Sequence, residues 1–297
     1  MKNLINKLKT GLWHVAYRQK QEGSILTDRK TPFKTIPNTI NLCAMDPFVF
    51  EYNSETYIFA EVYDALRSRG TIGYCKWDGK KFSKWKQVII ENYHLSYPFI
   101  FEHDGEIYIM PESFLNNDLH LYKALKFPDK WQQINTLAEN VKFVDSTLFS
   151  ADNKMYMFTY DISSTEKKLL LYKFNKNPFS ISEPKFICKD DSVARPAGRV
   201  FQYQGDLIRV SQNCKDKYGS ALVFSKINND FWQKYLETKT CQITVSDIKL
   251  EQPLEIECVH TYNATAKFEV IDLKGQHYSL LVTLGRIFQR ILKLFNA

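Results

Sequence analysis

Asp46-Pro47-Phe48-Val49-Phe50 is a short apolar stretch opened by an acid and a proline, and it returns along the chain. It recurs as Tyr97-Pro98-Phe99-Ile100-Phe101, more weakly as Asp145-Ser146-Thr147-Leu148-Phe149, and again as Pro196-Ala197-Gly198-Arg199-Val200-Phe201. The period is about 50 residues, the length of one four-stranded propeller blade. Each copy is followed by a short turn (Asn53-Ser54, Asp104-Gly105, Asp152-Asn153, Gln204-Gly205) and a second apolar run, over Thr56 to Glu61, Ile107 to Glu112, Met155 to Tyr160 and Leu207 to Gln212. Two such runs joined by two turn-forming residues make a β-hairpin. A third run follows in every copy, and Trp85, Trp131 and Trp232 announce a fourth.

Outward from these four copies, Val259-His260-Thr261-Tyr262-Asn263 and Phe268-Glu269-Val270-Ile271-Asp272 resemble the first hairpin of a fifth, degenerate blade. Trp13, Val15 and Tyr17 alternate near the start, which suits a strand that joins the last blade and removes the free edges of the ring. The expected fold is therefore all-β, a five-bladed β-propeller over residues 21–278, with a two-sheet sandwich as the alternative. Basic amphipathic helices are expected at both ends, in residues 1–20, which also hold the closing strand, and in residues 279–297.

Composition agrees with a large folded core: 297 residues, 44% hydrophobic and 25% charged. The net charge of +7 is concentrated at the ends, with +5 in residues 1–20 and +3 in residues 279–297, so the body carries −1. A body without a coherent basic stripe argues against nucleic acid as a partner. The six cysteines show no pair at metal or redox spacing and read as reduced thiols, so neither a metal nor a cofactor is expected. No apolar run is long enough to span a bilayer and no secretory leader is evident, so the expected location is the cytoplasm. Glycine-rich phosphate loops, the dinucleotide fingerprint and the Gly-x-Ser-x-Gly elbow are likewise missing.

In a propeller the first strand of each blade lines the central channel, so equivalent repeat positions become neighbours at one mouth. The first strands bring Asp46, Tyr97, Asp145, Arg195, Arg199 and His260 there, and the ends of the second strands bring Glu61, Glu112, Tyr160 and Gln212. Paired carboxyl groups across a pocket are what glycosidic chemistry needs, one to protonate a departing oxygen and one to activate an acceptor. Asp46 and Glu112 form the first candidate pair, with Asp145 as a third acid that orients a hydroxyl or tunes the first. Plainer readings stand beside these. Asp-Pro can simply start a strand, Glu61 can pair with Arg67 or Arg69, and His94 and His260 can be hydrogen-bonded structural groups. Arg195 and Arg199 either neutralise Asp46 and Glu61 or clamp a phosphate or carboxylate.

Ala44-Met45-Asp46-Pro47-Phe48, His94-Leu95-Ser96-Tyr97-Pro98-Phe99, Met110-Pro111-Glu112-Ser113, Ala194-Arg195-Pro196-Ala197-Gly198-Arg199 and Tyr218-Gly219 together resemble the amino-terminal domain family of glucosamine inositolphosphorylceramide transferases and its bacterial relatives. The resemblance runs over roughly residues 40–275. That domain is similar to five-bladed glycoside hydrolases such as arabinanases and fructosidases. The resemblance implies a carbohydrate substrate, the assembly of a surface polysaccharide (capsule or lipopolysaccharide), Asp46 as the first-blade carboxylate and Asp145 as the third-blade one. Arabinanase-like enzymes carry their acid glutamate on the fourth blade, where this chain has Arg195, Arg199 and Gln212. Fructosidase-like enzymes use a second-blade aspartate, where it has Tyr97. Both departures point from hydrolysis to glycosyl transfer.

The sequence reading is thus a glycosyltransferase taking a sugar from an activated donor, a nucleotide sugar or sugar phosphate, to a glycan or lipid-linked glycan acceptor. Its catalytic groups are Asp46, Glu112 and Asp145, and its substrate-binding groups Glu61, His94, Tyr97, Arg195, Arg199, Gln212 and His260. A furanosidase-type glycoside hydrolase and a non-catalytic glycan-binding propeller are the alternatives. Leu280, Leu284, Ile287, Ile291 and Phe295 at helical spacing opposite Arg286, Arg290 and Lys293, and Leu4, Ile5, Leu8 and Leu12 beside Lys2, Lys7 and Lys9, are suited to an anionic membrane surface at the inner face of the cell membrane. The other reading packs both helices on the propeller or on another subunit.

Overall fold

The computed structural model describes residues 10–20 and 24–277, so both expected terminal helices fall, apart from the closing strand, outside the described residues. Strand β1 (Thr10–Gln19) and strand β2 (Lys34–Thr35) precede the first repeat. Blade I holds β3 (Leu42–Tyr52), β4 (Glu55–Asp64), β5 (Arg69–Lys76) and β6 (Lys86–Ile89), and blade II holds β7 (Ser96–His103), β8 (Glu106–Glu112), β9 (Asp118–Lys126) and β10 (Lys130–Glu139). Blade III runs through β11 (Phe143–Ala151), β12 (Lys154–Asp161), β13 (Lys168–Lys176), β14 (Phe179–Ile181) and β15 (Lys185–Cys188). Blade IV comprises β16 (Arg195–Pro196), β17 (Phe201–Tyr203), β18 (Asp206–Asn213), β19 (Ala221–Ile227) and β20 (Glu237–Thr244). Strands β21 (Ile256–Ala264) and β22 (Phe268–His277) begin blade V.

The fold is an all-β five-bladed propeller, as the repeat predicts, and the only helices among the described residues are two 3-10 turns, Phe114–Asn116 and Val245–Asp247. Hairpin turns set each blade. Asn53 and Ser54, Asp104 and Gly105, Asp152 and Asn153, and Gln204 and Gly205 all have positive φ, the type I′ conformation whose twist matches that of antiparallel strands. Inner strands are buried on both faces because each blade is sandwiched between two others. Hence Tyr57-Ile58-Phe59-Ala60-Glu61-Val62 is buried without alternation, whereas the outer strand β10 is largely exposed. The apolar clusters lie between blades: Phe48, Phe59 and Ile72 pack on Phe99, Ile109 and Leu121, and Phe224 and Ile243 on Val259 and Ile271.

The ring closes through the chain's beginning. β1 pairs antiparallel with β22 from Thr10 opposite His277 to Gln19 opposite Phe268, giving blade V the order β21-β22-β1-β2. Trp13, Val15 and Tyr17 therefore lie in the closing strand expected of them. Leu12 does not belong to a helix: it is a buried residue of β1 packed beside Cys43. Cys43, Cys75 and Cys258 are buried, and Cys188, Cys214 and Cys241 are partly buried.

Candidate active site

The mouth is built by one local irregularity repeated round the ring. The ladder between the first two strands breaks between Met45 and Phe48, Ser96 and Phe99, Val144 and Thr147, and Val259 and Tyr262. Each break is a bulge of two residues: Asp46-Pro47, Tyr97-Pro98, Asp145-Ser146 and His260-Thr261. Bulges re-aim side chains and gather beside active sites. The leading residues Asp46, Tyr97 and Asp145 take φ of 52, 42 and 53°, a region that an aromatic residue enters only when its surroundings hold it there. On the paired strands, Glu61, Glu112, Tyr160 and Gln212 stand on the same rung, opposite Met45, Ser96, Val144 and Arg195.

Asp46 is the centre of this arrangement. Its carboxylate accepts hydrogen bonds from the Tyr97 N–H (3.3 Å) and the Thr261 hydroxyl (3.1 Å), and lies 3.3 Å from His260 Nε2. The other imidazole nitrogen, Nδ1, is 2.6 Å from Asp272, which also accepts the Asp46 N–H at 2.9 Å. His260 thus bridges two carboxylates across the seam where the ring closes. Burial opposes charging the imidazole, but the flanking Asp272 and Asp46 outweigh it and raise its pKa. Burial likewise lifts Asp46, partly offset by His260 and reinforced by Asp272 and Asp145, to about 6. Asp46, His260 and Asp272 offer ligand atoms within 4.8 Å of one another, close enough to share a cation, although such an ion would have to displace the bonds the imidazole already makes.

Glu112 and Asp145 form a second knot between blades II and III. The Ser96 hydroxyl donates to Glu112 Oε1 at 2.9 Å and the Asp145 N–H to Oε2 at 3.0 Å. Asp145 in turn accepts from Arg195 Nε and from Gln212 Nε2 (3.2 Å). Burial and the neighbouring Asp145 raise Glu112 to about 8 against the pull of Arg195, so Glu112 holds its proton to higher pH than Asp46 does. Glu61 is also raised well above its usual value by burial and by Asp46 and Glu112. Its partner is His94, with Nε2 at 3.4 Å, rather than Arg67 or Arg69, which bind Asp64 and the Asn92 carbonyl. The Gly70 N–H donates to His94 Nδ1 at 2.9 Å, which puts the proton of the neutral ring on Nε2, facing Glu61, and burial lowers the His94 pKa. A cavity of about 300 Å³ lined by Leu12, Trp13, Met45, Tyr63, Glu61 and His94 opens beside this pair.

Most of the residues expected at the mouth are there: Asp46, Glu61, His94, Glu112, Asp145, Arg195, Gln212 and His260. Tyr97 gives only its N–H to Asp46, while its buried side chain turns inward onto Phe48 and bonds the Thr147 hydroxyl at 2.8 Å, so it is not placed to bind a substrate. Tyr160 turns aside to bond Asp191 at 2.5 Å. Arg199 departs from expectation. It occupies the rung of Phe48 and Phe99, one step deeper in the channel, because Pro196 to Gly198 carry the chain past the mouth before β17 begins. The expected pair of arginines is therefore not formed, and Arg195 neutralises Asp145, not Asp46 or Glu61. Sequence reasoning missed Asp272, Thr261, Trp13 and Tyr218. Trp13 stacks on His260 with centroids 4.1 Å apart and planes at 20°, and the 42%-exposed Tyr218 sits edge-on to His260 and 5.1 Å from the Arg195 guanidinium. Aromatic faces beside carboxyl groups suit a sugar ring, which offers C–H faces and hydroxyl edges.

Fold and site together define a five-bladed propeller whose channel mouth gathers buried carboxyl groups under an aromatic rim. Comparison with solved structures finds the same architecture in an α-L-arabinofuranosidase from Lactobacillus brevis (TM-score 0.55, 14% identity, 77% of this chain and 81% of that one). It also finds it in a GH43 β-xylosidase/α-arabinofuranosidase from a compost microbial metagenome (TM-score 0.58, 10% identity, 79% and 86%). The chain belongs to the family of the N-terminal domain of glucosamine inositolphosphorylceramide transferase 1, which matches residues 27–264. It is 31% identical over 205 residues to glucosamine inositolphosphorylceramide transferase 1 of Arabidopsis thaliana, and 31% identical over 203 residues to that of Oryza sativa subsp. japonica. These alignments take in 65% of this chain but only 26% and 27% of the plant proteins, so the chain spans about a quarter of the length of the curated relatives it matches.

Proposed function

We propose that this propeller is a glycosyltransferase that moves a sugar from an activated, phosphorylated donor to a glycan or lipid-linked glycan acceptor. The observation that carries the reading is the geometry of one mouth: Asp46 lies 3.3 Å from His260 Nε2 while Glu112 is buried against Asp145, so their neighbours set the two carboxyl groups apart, with Glu112 the more strongly raised. Environments that push two carboxyl groups apart in this way supply a base and an acid for one reaction. In the proposed step Asp46 takes the proton of the acceptor hydroxyl as its oxygen bonds to the anomeric carbon. The bond from that carbon to the donor phosphate breaks, and the departing oxygen keeps the electron pair and is protonated by Glu112. Asp145, held by Arg195 and Gln212, fixes the floor of the pocket, and Trp13 and Tyr218 face the sugar.

Transfer is favoured over hydrolysis by the plant relatives, whose names are those of transferases acting on a phosphorylated lipid, and by Gln212 and Arg195 at the fourth-blade position where arabinanase-like hydrolases carry an acid. With Arg199 deeper in the channel, Arg195 is the one guanidinium of the expected pair left at this mouth to meet a donor phosphate. Assembly of capsule or lipopolysaccharide and an inner-membrane acceptor complete the proposal, on the family resemblance and the basic ends of the chain. The test is incubation with a panel of nucleotide sugars and lipid-linked acceptors. Product formation by the wild type that falls by roughly 10² to 10⁴ in Asp46→Asn and in Glu112→Gln supports the reading. Undiminished product in both variants overturns the site, and turnover of simple aryl glycosides without transfer makes the protein a hydrolase.

A further inference from the structure

Five arginines are buried or half-buried in the body of the propeller, and three of them sit on carboxylates. Arg18 Nε is 2.6 Å from Glu269, Arg209 Nη2 is 2.8 Å from Glu237, and Arg195 meets Asp145. Arg69 bonds the Asn92 carbonyl instead, and Arg199 likewise has no carboxylate oxygen within 4.0 Å among the described residues. Its Nη2 donates to the Ile100 carbonyl at 2.5 Å, and its guanidinium carbon lies 4.7 Å from the Phe99 ring centre and 5.5 Å from that of Phe48. Burial lowers its pKa to about 10, which leaves it charged at neutral pH. The half-buried guanidinium has one carbonyl and two ring faces as its protein partners and keeps N–H donors free to meet an anion.

There is room for one. Arg199 opens onto a cavity of about 310 Å³ at the hairpin-turn end of the channel, between blades II, III and IV and facing away from the carboxylate mouth. Phe101 and Phe149 wall it, and Lys176, His103 and Glu102 stand round it. His103 Nε2 lies 3.2 Å from Asp104 but makes no hydrogen bond, and among the described residues Arg199 and Lys176 are cations without a carboxylate partner. Two cations on an aromatic-walled cavity several times the size of an oxyanion match a small phosphate monoester, with the phosphate on the guanidinium and the organic group against the rings.

We infer that Arg199 and Lys176 form a second, anion-binding site at the far end of the channel, which takes inorganic phosphate and, more tightly, small phosphate monoesters. The site stands independently of the transfer reaction proposed above. Calorimetric titration in chloride-free buffer with inorganic phosphate, phenyl phosphate and benzoate tests it. Saturable binding of both phosphates is expected, tighter for phenyl phosphate and weak for benzoate. Arg199→Met, whose thioether keeps the contact with Phe48 and Phe99, should weaken it at least about tenfold, and exposed Lys176→Gln about threefold. Phosphate should also raise the Tm of the wild type and leave that of Arg199→Met unmoved. Absence of saturable phosphate binding by the wild type overturns the inference whether or not the variants fold. So does binding lost in Arg195→Met but kept in Lys176→Gln and Arg199→Met, which places the anion at the carboxylate mouth, or benzoate bound as tightly as phenyl phosphate.

Discussion

In the proposed transfer Asp46 and Glu112, with the same functional group, take opposite duties, and the difference comes from their neighbours. Both are buried and accept two protein hydrogen bonds, but Asp46 stands beside His260, whereas Glu112 is buried against Asp145. The sign of the pH dependence follows. Transfer requires Asp46 without its proton, so the rate rises through about pH 6, and Glu112 with its proton, so the rate falls through about pH 8. A bell-shaped profile of kcat/KM between these limits is expected, the two values belonging to the interacting set of carboxyl groups. Glu112→Gln should abolish the alkaline limb and keep the acid one, as measured on the residual activity. A profile with both limbs intact in that variant would remove Glu112 as the acid.

At the scale of the element, the recurring bulge delivers the site, and blade IV shows what happens when it changes form. There the first strand is split into β16 and β17, with Gly198 between them at a φ of 136°, packed so closely on blade V that a Cβ would lie 1.9 Å from the Tyr262 carbonyl oxygen. Gly198→Ala meets both a forbidden backbone region and a backbone clash, and should cost at least about 3 kcal/mol, seen as a lower urea midpoint with unchanged slope. Gly79 has a positive φ of 99° but open space around it, so Gly79→Ala serves as the control and should cost only about 1–2 kcal/mol. Equal losses for the two would show that blade contact at Gly198 is not the limiting constraint. The element scale also explains the misplacement of Arg199. Aligned on Phe50 and Phe201, the repeat puts Arg199 level with Phe48, so the signal for a channel position was present, but proximity to Arg195 in the chain suggested a shared mouth.

For the whole molecule the decisive contact is the latch between the chain's beginning and its last blade. Glu269 accepts from Arg18 Nε at 2.6 Å, from the Tyr262 hydroxyl at 2.6 Å and from the Ile25 N–H at 2.7 Å, so one buried carboxylate ties three separated segments together. Arg18→Ala leaves that charge unpaired and should lower the stability by about 3–5 kcal/mol, a large part of what a protein of this kind possesses. Chemical denaturation measures it, and a loss below about 1 kcal/mol would mean that backbone pairing of β1 with β22 closes the ring without the ion pair. The same closure carries Trp13 to within stacking distance of His260 and sets Asp272 beside Asp46, so mouth and latch belong to one seam.

The order of residues alone determined the ring of blades, the turns between strands, and the acids Asp46, Glu61, Glu112 and Asp145 at equivalent positions. Hairpin turns and apolar runs are local properties, and a repeat converts local similarity into spatial equivalence. Tertiary structure alone decided which groups touch: Asp272 and Trp13 with His260, Arg195 with Asp145, and Arg199 with the rings of Phe48 and Phe99. It also decided which acids are pushed up in pKa. Those contacts join residues from different blades, and ionisation depends on burial and on charges brought from a distance, which no local pattern records.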